Sequence, residues 1–161
     1  MALADWVSCL CPYGKPGDLL WVRETHGFCP KLPSMKRWSH TPEESRVFYA
    51  TDGISLTGPH GLWKPKMKPS IHMPRWASRL TLRITEVRVQ RLQDISRGDA
   101  MDEGCTFQNM AAGPDPRQWY TDLWDSINGA GSWAANPWVW CVSFEVIKAN
   151  VDTVLAQKVA A

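Results

Sequence analysis

Apolar and polar side chains alternating with a period of two mark strands, and apolar spacings of three and four mark helices. Residues 18–25 follow a Gly-Lys-Pro-Gly turn and set Leu19, Trp21 and Arg23 against Leu20, Val22 and Glu24, which predicts a strand apolar on both faces at its start. A short strand is expected over 45–50, ended by Thr51-Asp52-Gly53. In 80–89 the apolar positions run Leu80, Leu82, Ile84 and then change phase to Val87 and Val89, so a bulge is expected near Thr85-Glu86. Over 138–147, Trp138, Trp140, Val142, Phe144 and Val146 form one side, while Val139, Cys141 and Ile147 make much of the other apolar. Such a strand is expected in the middle of a sheet or barrel.

Two helices are expected. Residues 96–103 begin with Ser96, have Asp99 three residues on and stop at Gly104. Residues 115–128 start Asp-Pro, place Trp119, Leu123, Trp124 and Ile127 on one face, and end at Asn128-Gly129. Between 54 and 79, Pro59, Gly61, Pro65, Pro69 and Pro74 break any long element and predict an ordered loop of the kind that often carries function. The pattern reads as one α+β domain over 1–148, a small, mostly antiparallel β-barrel with short helices at its rim, followed by a tail over 149–161 that could form a frayed helix and is given no role.

Composition sharpens the expectation. The 161 residues, 44% hydrophobic and 21% charged, suit one globular core. No apolar run approaches the roughly 18 residues of a membrane span, and the first residues lack the pattern of a signal peptide, so no membrane partner and a cytoplasmic location are the expectations. Five irregularly spaced cysteines argue against a disulfide framework. Net charge is +2, divided as 11 basic and 6 acidic residues over 1–80 and 7 and 10 over 81–161. No acid occurs between Gly53 and Thr85, where Lys64, Lys66, Lys68, Arg75, Arg79 and Arg83 are interleaved with Trp63 and Trp76. Cations and indoles together are the makings of a surface that follows phosphates and stacks on bases, although a solvated basic loop has the same composition.

Several Trp-rich motifs occur in one order: Cys11-Pro12-Tyr13-Gly14-Lys15-Pro16-Gly17-Asp18 running into Leu20-Trp21-Val22-Arg23-Glu24-Thr25; Trp63-Lys64-Pro65; Pro69-Ser70-Ile71-His72-Met73-Pro74-Arg75-Trp76-Ala77-Ser78-Arg79; Leu92-Gln93-Asp94-Ile95-Ser96; Trp124-Asp125-Ser126-Ile127-Asn128; and Asn136-Pro137-Trp138-Val139-Trp140. With these motifs the chain resembles the ASCH-domain proteins of tailed phages and prophages, over residues 11–147. The resemblance implies a PUA-like barrel associated with RNA and modified nucleosides, a bacterial host cell, and phage proteins as further partners. It also implies a reaction, because small ASCH enzymes hydrolyse acetylcytidine with a Lys, a Thr and a Glu. By spacing from Leu92 through Ala100, the Glu corresponds to Glu103. The Lys and Thr of the Gly-x-Lys-x-Thr-x-Arg-like segment have no counterpart, so the chain is expected to lack the family's amino-terminal segment.

The candidate ligand-binding residues are therefore Trp63, Lys64, Lys66, Lys68, His72, Arg75, Trp76, Ser78 and Arg79, with Glu103 as candidate catalytic acid/base. Arg can grip a phosphate in bidentate fashion and Trp76 can stack on a base. The competing expectation has Trp76 closing the barrel mouth and Arg79 paired with an acid. Ligand contact is taken for Arg75 and Arg79, and core packing is preferred for Trp76, Trp21, Trp138 and Trp140. Cys9, Cys11, His26 and Cys29 have zinc-ligand chemistry, but their spacing fits no familiar finger, so free thiols are preferred and no metal or other cofactor is expected. No Gly-x-Ser-x-Gly elbow or phosphate-loop motif occurs. A module binding RNA or a modified nucleotide leads the functional readings. An amidohydrolase on acetylated cytidine or a related nucleoside, a ribonuclease, and a phage morphogenesis or assembly protein stand beside it.

Overall fold

The computed structural model describes residues 10–30, 45–52, 66–105 and 115–159. Trp63, Lys64 and Cys9 lie outside them. The chain divides into two compact units, one of Met1–Pro16 and Glu86–Ser143, the other of Gly17–Thr85 and Phe144–Ala161.

The described elements are β1 (Leu19–Trp21), β2 (His26–Pro30), β3 (Ser45–Tyr49), β4 (Thr81–Arg91), α1 (Arg97–Asp102), α2 (Pro116–Asn128), β5 (Trp138–Ile147) and α3 (Val151–Val159). They make an α+β fold with a three-stranded sheet in the order β1-β4-β5 and a two-stranded sheet of β2 and β3. The β1–β4 and β2–β3 pairs are antiparallel. These two sheets do not close into a barrel among the described residues.

In the second unit, β1 is shorter than the alternation over 18–25 suggests. Leu20 pairs with Leu82, but the carbonyl of Val22 is taken by the Ser78 hydroxyl at 3.0 Å. The chain then re-enters extended structure at His26. β2 and β3 pair from His26↔Tyr49 to Pro30↔Ser45, and the sequence pattern did not reveal β2, since Gly27 and Pro30 interrupt any alternation. Phe28, Met73 and Ala77 form a buried cluster against which Trp21, Val47, Tyr49 and Trp76 pack. Along β4, Ile84 and Val87 are buried while Thr85 and Glu86 between them are exposed. The step from Ile84 to Val87 agrees with the expected change of phase, whereas Val89, expected on the same face, is exposed.

The tail is an ordered part of this unit. Val151 and Val154 of α3 are buried, and the Thr81 hydroxyl donates to the carbonyl of Ala149 at 2.8 Å.

In the first unit, Ser96 caps α1 in a reciprocal capping box with Asp99, and Glu103 is the C-terminal cap. Asp115 caps α2, with Pro116 in the first turn. The expectation of a central, doubly covered strand over 138–147 is corrected. β5 has the expected bounds but, among the described residues, stands at the end of the sheet order, and Trp138 is 63% exposed. Periodicity reports that both faces of a strand are apolar, not that a neighbour covers them.

Candidate functional site

The basic stretch singled out by composition is held to the second unit by backbone and side-chain bonds. His26 N–H donates to the carbonyl of Lys68 at 3.1 Å, and Lys68 N–H returns a 2.7 Å bond to His26, so this segment adds a single antiparallel bridge to β2. Two tight turns follow at Ser70–His72 and Arg75–Ala77. Tyr49 Oη donates to the carbonyl of Ala77 at 2.7 Å, and Ser78 Oγ reaches the carbonyls of Val22 and Leu80, each at 3.0 Å. Ser78 is buried and its hydroxyl serves the backbone.

The two arginines of this stretch are held by carboxylates. Arg79 Nε and Nη2 clasp Glu24 at 3.0 and 2.9 Å, while Nη1 and Nη2 clasp Asp52 at 2.9 and 2.8 Å. The Thr51 hydroxyl lies 3.0 Å from both Arg79 Nη2 and Glu24 Oε1, and the guanidinium rests on the Tyr49 ring at 3.9 Å from its centroid. A phosphate could take the fork only by displacing a carboxylate. Arg75 donates to Asp152 at 2.9 Å through Nε and Nη2, in a solvent-exposed pair. Arg79 is thus ion-paired, as the competing expectation had it, and Arg75, for which only ligand contact was expected, is ion-paired too. Three acids from distant parts of the sequence, Glu24, Asp52 and Asp152, pair with these two arginines.

The electrostatic consequences are local. Arg79 bonding holds the Glu24 carboxyl below its ordinary range, against the opposing effect of burial, with Thr51 adding to the lowering. Burial pushes the Tyr49 phenol up. The Glu24 and Asp52 bonds raise Arg79 further beyond its already high value.

The remaining residues of the stretch divide between surface and core. Lys66 and His72 are exposed, while Lys68 is half-buried with its ammonium 5.9 Å from the Phe28 ring centroid. Trp76 is half-buried and packs on Phe28 at 5.5 Å between ring centroids, as the core preference anticipated. Below them His26 is fully buried. Its Nδ1 lies 3.1 Å from the carbonyl of Glu24, which can only accept, so the proton sits on Nδ1. Nε2 is buried with no partner among the described residues.

Glu103 belongs to the first unit. It is exposed, and its N–H donates to the carbonyl of Asp99 at 3.0 Å. Its charge reaches two side chains that sequence reasoning did not connect with it. The Tyr120 phenol is raised first by burial and then by Glu103, and the Cys141 thiol is raised by burial, with Asp99 and Glu103 contributing and Arg88 opposing. A thiol shifted in that direction is mostly protonated and a poor nucleophile. Tyr120 also packs against Trp124 and Trp133, at 6.3 and 6.2 Å between centroids, and the buried Trp124 indole N–H has no acceptor among the described residues. No group of three potential metal ligands occurs among the described residues, nor does any helix there have the length and apolarity to cross a membrane.

One further pair escaped the sequence reading. Trp138 stands exposed with the Arg91 guanidinium 4.3 Å from its ring centroid. A period-two apolar strand gave no sign that its first indole would face solvent.

Compared with family models, curated proteins and solved structures, the chain matches none.

Proposed function

We propose that this chain is an ASCH-type, PUA-like module that binds RNA or a modified nucleotide in a bacterial cell carrying a phage or prophage. The observation that carries the reading is the surface of residues 66–79, which exposes Lys66 and His72 and half-exposes Lys68 and Trp76 while contributing no carboxylate of its own. Phosphate attraction then rests on the exposed Lys66 rather than on Arg75 and Arg79, whose charges are already matched. Lysines act as point charges, so this attraction is salt-sensitive and indifferent to sequence. Fluorescence anisotropy with labelled single-stranded RNA at low salt is the test. Binding that weakens steeply with salt and weakens further in Lys66→Glu supports the module; no binding at low salt, or binding indifferent to salt, overturns it.

A second reading, hydrolysis of acetylated cytidine or a related amide, takes Glu103, exposed at the end of α1, as acid/base. It requires turnover of acetylcytidine that disappears in Glu103→Gln. Absence of turnover by the unaltered chain removes it.

A further inference from the structure

Trp138 opens β5 and is 63% exposed, an unusual position for the largest apolar side chain. Its backbone is fixed. The preceding Pro137 carbonyl accepts from Leu92 N–H at 3.0 Å, and the Asn136 side chain accepts from Gln93 N–H at 2.9 Å. Arg91 is fixed as well, since its Nη1 donates to the Asn136 carbonyl at 3.1 Å while the guanidinium lies over the indole. Among the described residues Arg91 has no carboxylate partner, whereas Arg88 on the same strand pairs with Asp99 at 2.8 Å. The first unit thus holds a solvent-facing indole beside a cation with no carboxylate partner among the described residues.

We infer that Trp138 and Arg91 form a stacking platform for one base of a single-stranded RNA, with Arg91 facing the adjoining phosphate. The inference rests on the RNA-binding reading above and adds to it a second contact, distinct from the lysine-bearing segment. The chemistry selects this occupant. An indole offers a π-face to any base, a guanidinium adds cation–π attraction and a charge for the phosphate, and neither requires a particular sequence. An apolar protein partner would have to desolvate Arg91 without a carboxylate in return. A duplex would hide its base faces from the indole.

The experiment measures anisotropy of a labelled twelve-nucleotide oligouridine with the full chain and with Trp138→Ala, Trp138→Phe, Arg91→Gln and Lys66→Glu. Stacking of one base predicts a roughly 5- to 150-fold loss of affinity in Trp138→Ala, most of it recovered in Trp138→Phe, which keeps an aromatic face. The slope of log affinity against log salt is expected to fall by about 0.7 in Arg91→Gln and to stay unchanged in Trp138→Ala. Native affinity in Trp138→Ala combined with weakened binding in Lys66→Glu overturns the platform and leaves the RNA-binding reading intact. Absence of binding by the unaltered chain overturns both. Equal losses in Trp138→Ala and Trp138→Phe, or equal affinity for a duplex of the same length, also overturn it, as does a dimer that Trp138→Ala dissociates, since the indole then serves a second copy of the chain.

Discussion

The side-chain amide of Asn150 donates to the carbonyl of Ser78 at 2.8 Å, and it also reaches the carbonyls of Arg75 and Trp76 at 2.9 and 3.2 Å. Its oxygen accepts from Asp152 N–H at 2.9 Å, which makes the same residue the N-terminal cap of α3. One side chain therefore ties the turn Arg75–Ala77 to the start of the last helix. Asn150→Ala removes the cap and leaves partly buried carbonyls short of a donor, so we expect a loss of about 1–3 kcal/mol. Urea unfolding reads this directly. Asn150→Asp, which keeps the capping oxygen but loses the donor, should fall between the two; equal stability of all three proteins would contradict the role.

The Glu24–Arg79 clasp gives folding a pH dependence of definite sign. Because the folded carboxyl is held below its ordinary range, chiefly by Arg79, its stabilisation is present above the unfolded value of about 4.3 and is lost as pH falls through the folded value. Glu24→Gln should cost about 1–2 kcal/mol at pH 7, less than a fully buried pair because Arg79 is partly solvated. The difference from the unaltered chain should shrink as acid protonates Glu24. Urea midpoints at pH 7 and pH 3 test this, and a difference that is the same at both would show that charge is not what Glu24 contributes.

Asp125 organises the turn after α2. Its carboxylate accepts from Trp133 N–H at 2.8 Å, Gly131 N–H at 3.1 Å and the Ser132 hydroxyl at 3.0 Å, and those bonds, Trp133 foremost, hold it below the ordinary range. Replacing it with Ala should speed amide exchange at Gly131 and Trp133 by about tenfold or more while leaving Asp99 in α1 unaffected. Asp125→Asn retains one acceptor oxygen and should give a smaller acceleration. Unaltered protection of Trp133 in Asp125→Ala would place control of the turn elsewhere.

Local signals were the legible part of the fold. Ser96 and Asp115 mark their helices because capping is written within three residues, and β5 has the bounds that its alternation predicts. What pairs with what across long separations was not legible. Glu24, Asp52 and Arg79 meet over sequence gaps of 27 and 55 residues, so the sequence shows an acid-free basic stretch but not the acids that answer it. Of the candidate site, the position of Lys66 at the surface and of Trp76 against the core follow local chemistry, whereas the exposure of Trp138 depends on what packs over its face of the strand, which alternation does not report. The tail over 149–161, for which the sequence allows a frayed helix, forms a helix over Val151–Val159. Asn150 and two buried valines suffice to anchor it.

Asn136 offers a test of how firmly the end of β5 is set. It has φ of 43°, a left-handed conformation that Asn tolerates better than most residues, and its Oδ1 accepts from Gln93 N–H at 2.9 Å. Two contributions can be separated by substitution. Asn136→Gly relieves any strain but removes the acceptor, Asn136→Asp keeps the acceptor at the same φ, and Asn136→Ala loses the acceptor and adds a left-handed Cβ penalty. The expected stability order is Asp above Gly above Ala, with Ala about 1–3 kcal/mol below the unaltered chain. Because Arg91 bonds to the Asn136 carbonyl, the same series should loosen the guanidinium over Trp138 in the same order. Thermal unfolding gives the stabilities, and a Gly variant less stable than Ala would show that backbone conformation at this position contributes nothing.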